Sequence, residues 1–282
     1  MRLPKKNVLL LALLTGLSLP VAMLSPQYTV PVAHAQQARS TYQGPPWLGF
    51  VASRDNKEAV EVASVLKESP AQKAGLAPGD IITTVDETSI KSVRDLKIIL
   101  RTKVVGDSLE ITYTRKNKSL SSTLTLTSTP SPKQLVSSQL MGEKAPDFAF
   151  APITAQHGEA KSTTKLSEIE GKITIIDFWA TWCKPCEPFK TQLSKVKGKY
   201  KDNLQIVALS SESTKTLAAH VKDHTTPYIV ASDASEAIHD RYFVRSIPLI
   251  IILDKDHKVR KVITGDDDPA LITKSIQALM AN

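Results

Sequence analysis

Apolar and polar positions alternate with a period of two through the first half of the chain and gather into longer apolar runs in the second. Between residues 45 and 128, "WLGFVA", "AVEVASVL" and "IITTVD" read as short strands, and "LEITYTR" and "LSSTLTLT" flank "KNKS" as a hairpin. "SVRDLKIILRT" breaks that rhythm. Ser92 and Asp95 are spaced as a capping box, and Val93, Leu96, Ile99 and Leu100 share one face, which predicts a helix. "ESPAQKAGLAPGD" adds a helical turn. Strands outnumber helices, so this block reads as a small β-rich module.

From residue 142 the pattern changes. "ITIIDFWA" is the apolar run of a strand covered on both faces, and "QIVALS", "YIVAS" and "LIIILD" repeat it with helical segments between. "KVRKVI" predicts an exposed edge strand and Pro269 to Met280 a closing helix. The block reads as α/β with a mixed sheet. Residues 36–44 and the stretch "TSTPSPKQLVSSQLMGEKAP" are rich in polar residues without either period, which places linkers at 36–44 and 129–141. The 282 residues thus divide into two modules, at 45–128 and 142–282, with no internal repeat.

The N-terminus adds a compartment. Arg2, Lys5 and Lys6 precede "NVLLLALLTGLSLPVAML", and "AHA" at 33–35 fits a small-x-small cleavage site, so residues 1–35 read as a secretory signal peptide; an uncleaved anchor is the alternative. This places the mature chain across the cytoplasmic membrane, in a periplasm-like space. The formal charge of +8 shrinks once those three cations are removed, leaving 33 basic against 28 acidic residues. Lys195, Lys197, Lys199 and Lys201 fit a solvated helix end, and nucleic acid is not expected as a partner.

Two cysteines, Cys183 and Cys186, lie three apart in "WATWCKPC". A structural zinc site needs about four ligands, and a bridge across so small a loop constrains the unfolded chain little. Electron exchange is the remaining use. The pair stands where a strand ends and a helix begins, so unpaired N–H groups, the positive dipole end and Lys184 all favour a thiolate at Cys183. Pro185 suits a first helical turn. Pro188 implies a local distortion or a later helix start. Asp177 interrupts the apolar run six residues earlier, where a carboxylate beneath the pair could take or return the Cys186 proton. His220 and His224 have metal-binding spacing but no apparent third ligand, and read as a solvent-facing pair. No metal and no cofactor is expected.

The first block, through "SPAQKAGLAPGDIITTVDETSIKSVRDLKIIL" and "WLGF", resembles a bacterial PDZ domain. The resemblance implies that the backbone N–H groups of Leu48, Gly49 and Phe50 form a nest for a terminal carboxylate, that a C-terminal peptide adds as a strand beside residues 49–53, and that Val93, Leu96 and Leu100 line its side-chain pocket. Pro45, Pro46 and the Asp86-Glu87 turn depart from the usual pattern.

The second block, through "GEKAPDF", "DFWATWCKPC" and "SIPLIIILD", is similar to the thioredoxin fold of secreted TlpA-like thiol-disulfide oxidoreductases. The resemblance implies an α/β thioredoxin fold, its mixed sheet flanked by helices, preceded by the β-rich PDZ domain. It makes Cys183 the attacking thiol, Cys186 the resolving thiol, Asp177 the buried acid and Pro248 a cis-proline facing the pair. Trp182 and Ile247 become substrate contacts, and Lys184 and Pro185 modulate the thiols. Trp179 is assigned to packing. "IVALSSES" lacks the lysine often found near the buried acid of cytosolic thioredoxins.

The implied activity is reduction of disulfides in protein clients, with the PDZ module selecting or localising them and a membrane thiol carrier supplying electrons. A PDZ adaptor on an inert thioredoxin scaffold is one alternative. A thiol peroxidase is another, disfavoured because Ala180 stands where that chemistry expects threonine.

Overall fold

The computed structural model describes residues 44–53, 59–154, 158–159 and 162–281. The expected signal peptide and nearly all of the linker at 36–44 lie outside them.

The N-terminal module contains β1 (Pro46–Trp47), β2 (Phe50–Ala52), β3 (Val60–Val65), α1 (Pro70–Lys73), β4 (Ile81–Val85), β5 (Thr88–Ser89), α2 (Val93–Leu100), β6 (Ser108–Arg115), β7 (Lys118–Thr125) and β8 (Thr127–Ser128). Its main sheet runs β2-β3-β4-β6-β7, with β5 paired to β4 and β1 to β8. The hairpin closes at Lys116 and Asn117, both left-handed at φ 49° and 62°, and pairs Arg115 with Lys118. That is the two-residue turn whose twist matches paired strands. The Asp86-Glu87 turn adopts the same hand without glycine, at φ 46° and 63°. Asp86 holds it by accepting from the Glu110 N–H at 2.9 Å and from Lys103 at 2.6 Å. Ser92 caps α2 through the Asp95 N–H, and Leu96 packs into a core with Val60, Val62, Ile82, Val85, Leu109 and Ile111.

Next come α3 (Pro132–Leu140) and the short strands β9 (Ala149–Phe150), β10 (Ile153–Thr154), β11 (Gly158–Glu159) and β12 (Thr164–Lys165). The main C-terminal elements are β13 (Ile173–Phe178), α4 (Glu187–Tyr200), β14 (Leu204–Ser210), α5 (Thr214–Asp223), β15 (Ile229–Ser232), α6 (Ala237–Arg241), β16 (Leu249–Leu253), β17 (Val259–Thr264) and α7 (Ala270–Met280). The sheet order is β15-β14-β13-β16-β17, with β13 parallel to β14 and antiparallel to β16. Every residue of β13 is buried. Ile176 and Phe178 face α3 and α6, whereas Ile173 and Ile175 face α4 and α7. This is the thioredoxin fold, preceded by a β-rich PDZ region.

Two expectations need correction. Residues 132–140, read as aperiodic linker, form α3. Ser131 and Gln134 make a reciprocal capping box, Pro132 takes the first turn, and Leu135, Val136, Gln139 and Leu140 are buried. The strand expected to be an exposed edge, β17, is mostly buried. Val136 and Leu140 of α3 cover one face beside Val259 and Val262, and Ile272 and Ile276 of α7 cover the other beside Ile263. The chain after α3 also pairs with the start of its backbone edge: Gly142 donates to Val259 and Val259 to Glu143, each at 2.9 Å.

Helix α3 also holds the PDZ region. The Gln139 side chain accepts from the Lys67 N–H at 2.9 Å and donates to the Lys67 carbonyl at 3.3 Å. Lys67 Nζ in turn reaches the Gln139 carbonyl at 3.2 Å and Glu143 at 2.9 Å.

Candidate active site

The apolar run of β13 ends at Phe178, and the chain turns through Trp179–Trp182 before a 3-10 turn at Lys184–Cys186. Helix α4 starts at Glu187, so Pro188 falls in its first turn, where no ladder bond is lost. Cys183 and Cys186 are joined by a disulfide with Cα atoms 5.4 Å apart. Both are buried, in a cluster with Trp179, Ala180, Ala208, Leu217 and Val230. Their neighbours Trp182, Lys184 and Pro185 are exposed, Trp182 at 71%.

The loop before the cysteines is fixed by Glu212, a residue the sequence reading passed over. Its carboxylate accepts from the Thr181 N–H at 2.7 Å, the Thr181 hydroxyl at 2.6 Å and Ser210 at 3.0 Å. The acid is visible in "SSES", but its partner lies 31 residues away.

Asp177 is 2% exposed, and its Oδ1 has no hydrogen-bond partner among the described residues. Burial raises its pKa to about 7, while Lys190 pulls the other way. Asp177 is on the face of β13 toward α4, two residues before Trp179. Lys190, one turn beyond Cys186, lies 4.2 Å over the Trp179 ring with its ammonium 2.9 Å from Glu187. Burial, reinforced by the Asp177 charge, keeps the Tyr228 hydroxyl protonated above its ordinary range.

Of the pair expected to face solvent, His224 is exposed and His220 half-buried. Their rings stack at 4.3 Å, His220 lies 5.3 Å from Trp179, and both line a cleft of about 430 Å³ with Lys190 and Tyr228. Burial, then His224 and Lys190, lower the pKa of His220. Among the described residues, no group of three or more His, Cys, Asp or Glu is arranged to hold a metal ion.

The Ile247-Pro248 peptide bond is cis. Pro248 is buried and Ile247 half-buried, packed against the cysteine cluster. The residues expected at a PDZ groove lie on two elements, the edge strand β2 with the chain just before it and helix α2. Phe50 starts the edge strand β2, but Leu48 is buried and its carbonyl is taken by the Ala71 N–H at 2.8 Å. Gly49 is left-handed at φ 86°, and a Cβ there would meet the Ser69 Cβ at 2.1 Å, so only glycine fits. Leu96 is buried in the core, while Val93 and Leu100 are half-buried. A cleft of about 510 Å³ on α2 is lined by Val93 with Arg94, Lys97, Ile98 and Arg101.

Residues 141–262 match the AhpC/TSA family and residues 46–126 the PDZ domain. A thiol-disulfide oxidoreductase ResA of Bacillus cereus is 31% identical over 128 residues, which are 45% of this chain and 70% of that protein. The chain belongs to the ResA thiol-disulfide oxidoreductase family. The ResA of Oceanobacillus iheyensis is 27% identical over 127 residues, 44% of this chain and 65% of that protein. The thioredoxin-like protein YneN of Bacillus subtilis is 31% identical over 130 residues, 44% and 71% of the two chains. In this thiol-disulfide oxidoreductase, residues 127–140, which include α3, fall between the two matched regions.

Proposed function

We propose that the protein acts outside the cytoplasmic membrane, where Cys183 and Cys186 reduce disulfides of protein clients and the PDZ module binds or localises those clients. The observation that carries the reading is the bridged pair just before α4, with Ile247 of the cis Ile247-Pro248 bond packed against it and a buried carboxyl on β13.

In the reduced enzyme the Cys183 thiolate attacks one sulfur of a client disulfide. The S–S bond breaks, the client's second sulfur leaves as a thiolate and takes a proton from solvent, and a mixed disulfide remains. Asp177 takes the proton of Cys186, for which a carboxyl titrating near neutrality is suited. The Cys186 thiolate then attacks Cys183, the client departs with both sulfurs reduced, and the enzyme holds the Cys183–Cys186 disulfide. Two electrons have moved. A membrane thiol donor returns them by the reverse exchange. Trp182, Lys184 and Pro185 form the docking surface, and Pro248, lacking an N–H, leaves the Ile247 backbone for an extended client.

Insulin reduction by dithiothreitol tests this. Wild type should accelerate it and Cys183→Ser should lose the acceleration, while Cys186→Ser should accumulate mixed disulfides. Equal rates for wild type and Cys183→Ser would refute the catalytic role. For the PDZ module, amidating the C-terminus of a bound peptide should abolish affinity, and unchanged binding would end carboxylate capture.

A further inference from the structure

Beside the redox turn lies a second cleft, of about 380 Å³. Pro185, Ile247 and Pro248 bound it on one side, and Ser131, Pro132 and Lys133, the cap and first turn of α3, on the other. The far wall is firmly built. Lys133 Nζ is 2.5 Å from Asp267, and Asp267 also accepts from the Thr264 N–H at 2.9 Å, closing the loop after β17. That loop presses on the cis-proline, since a Cβ on Gly265 would stand 3.2 Å from the Pro248 Cδ. The body of α3 is anchored by Val136 and Leu140 in the core. One ion pair therefore ties the first turn of α3 to the loop against Pro248.

We infer that the first turn of α3, outside both matched families, is the outer wall of the groove that holds a client's extended segment during disulfide exchange. This rests on the proposed reductase reading, which places the client along Ile247 and Pro248; the new element is what faces it. The wall discriminates by charge as well as shape. Lys133 is already neutralised by Asp267, and Asp266 is exposed at the cleft. The groove therefore selects neutral or basic residues beside the client cysteine.

The test compares Pro132→Trp, which fills the cleft from the α3 side, with Lys195→Ala, at an exposed position of α4 outside the cleft. The substrates are a peptide disulfide with lysine beside the cysteine and 2-hydroxyethyl disulfide, which is too small to reach α3. Pro132→Trp should lose roughly fivefold or more in kcat/KM on the peptide and far less on the small disulfide, whereas Lys195→Ala should resemble wild type on both. Wild type should prefer the lysine-flanked peptide to a glutamate-flanked one by roughly threefold, and Asp266→Lys should reverse that order. Equal losses on both substrates, no loss on the peptide, or no charge preference would overturn the inference. If wild type turns over neither substrate, the reductase reading fails and the wall falls with it. A readout independent of Pro132→Trp folding is hydrogen exchange of Cys186→Ser carrying the lysine-flanked peptide on Cys183. Residues 131–135 should gain protection with 245–249, and protection of 245–249 alone would also overturn the inference.

Discussion

Each of the two main sheets buries an aspartate, and their fates are opposite. Asp80, at the entry to β4 and fully buried, is gripped by Arg115 through two hydrogen bonds of 2.7 Å and by the Ala77 N–H at 2.7 Å. Burial pushes its pKa up, but these donors outweigh it and hold the carboxylate below its usual range. Asp177 has no such grip. Its Oδ1 is unpaired among the described residues, burial dominates, and it titrates near neutrality. A satisfied buried carboxylate is part of the framework; an unsatisfied one suits the proton transfer proposed for Asp177.

The pH dependence of stability separates the two. Asp177 has a folded pKa above its unfolded value, so stability is gained as pH falls from about 7 toward 4. Above 7 the buried charge costs on the order of 4 kcal/mol. Asp177→Asn should therefore stabilise the fold by about that much at pH 8 and by little at pH 4, while slowing the resolving step; urea unfolding at both pH values checks it. A stability gain independent of pH would remove the distinction. Asp80 behaves inversely: its contribution is present above the unfolded value of 3.8 and is lost as pH falls below it. Arg115→Met strips its main partner and should lower the thermal midpoint at pH 7 by roughly 6–10 °C, measured by calorimetry.

Lys190→Met removes the cation acting on Asp177. It should raise the carboxyl's NMR titration midpoint by about one pH unit, with Lys190→Arg restoring it. Smaller still is Gln139→Ala, which leaves the Lys67 backbone without its amide partner. It should cost about 1 kcal/mol and speed exchange of the Lys67 amide.

Much of this was legible from residue order. The apolar runs announce β13, β14, β15 and β16 because a strand covered on both faces has no polar phase, and "WCKPC" followed by "SIPL" marks the redox turn and the proline beside it. Helix α3 was not legible by periodicity, because a short helix that buries Gln139 beside three apolar residues shows little apolar stripe. Its signature lay instead in "SPKQ", a serine cap with glutamine three residues later. The covering of one face of β17 could not be read locally, since it comes from α3, more than a hundred residues upstream. Lys190 escaped attention for a similar reason: its relation to Asp177 exists only once α4 lies on β13.

The sheathing of β17 has a bearing on the company this protein is proposed to keep. Partly folded chains expose backbone groups that seek any open strand rim to pair with, and such pairing begins many aggregates. The chain that follows α3 pairs with the start of one of the two rims of the C-terminal sheet, at Val259, and shortens the stretch left open. An enzyme offering its sulfurs to half-unfolded molecules in this way limits the risk of recruiting them into its own architecture.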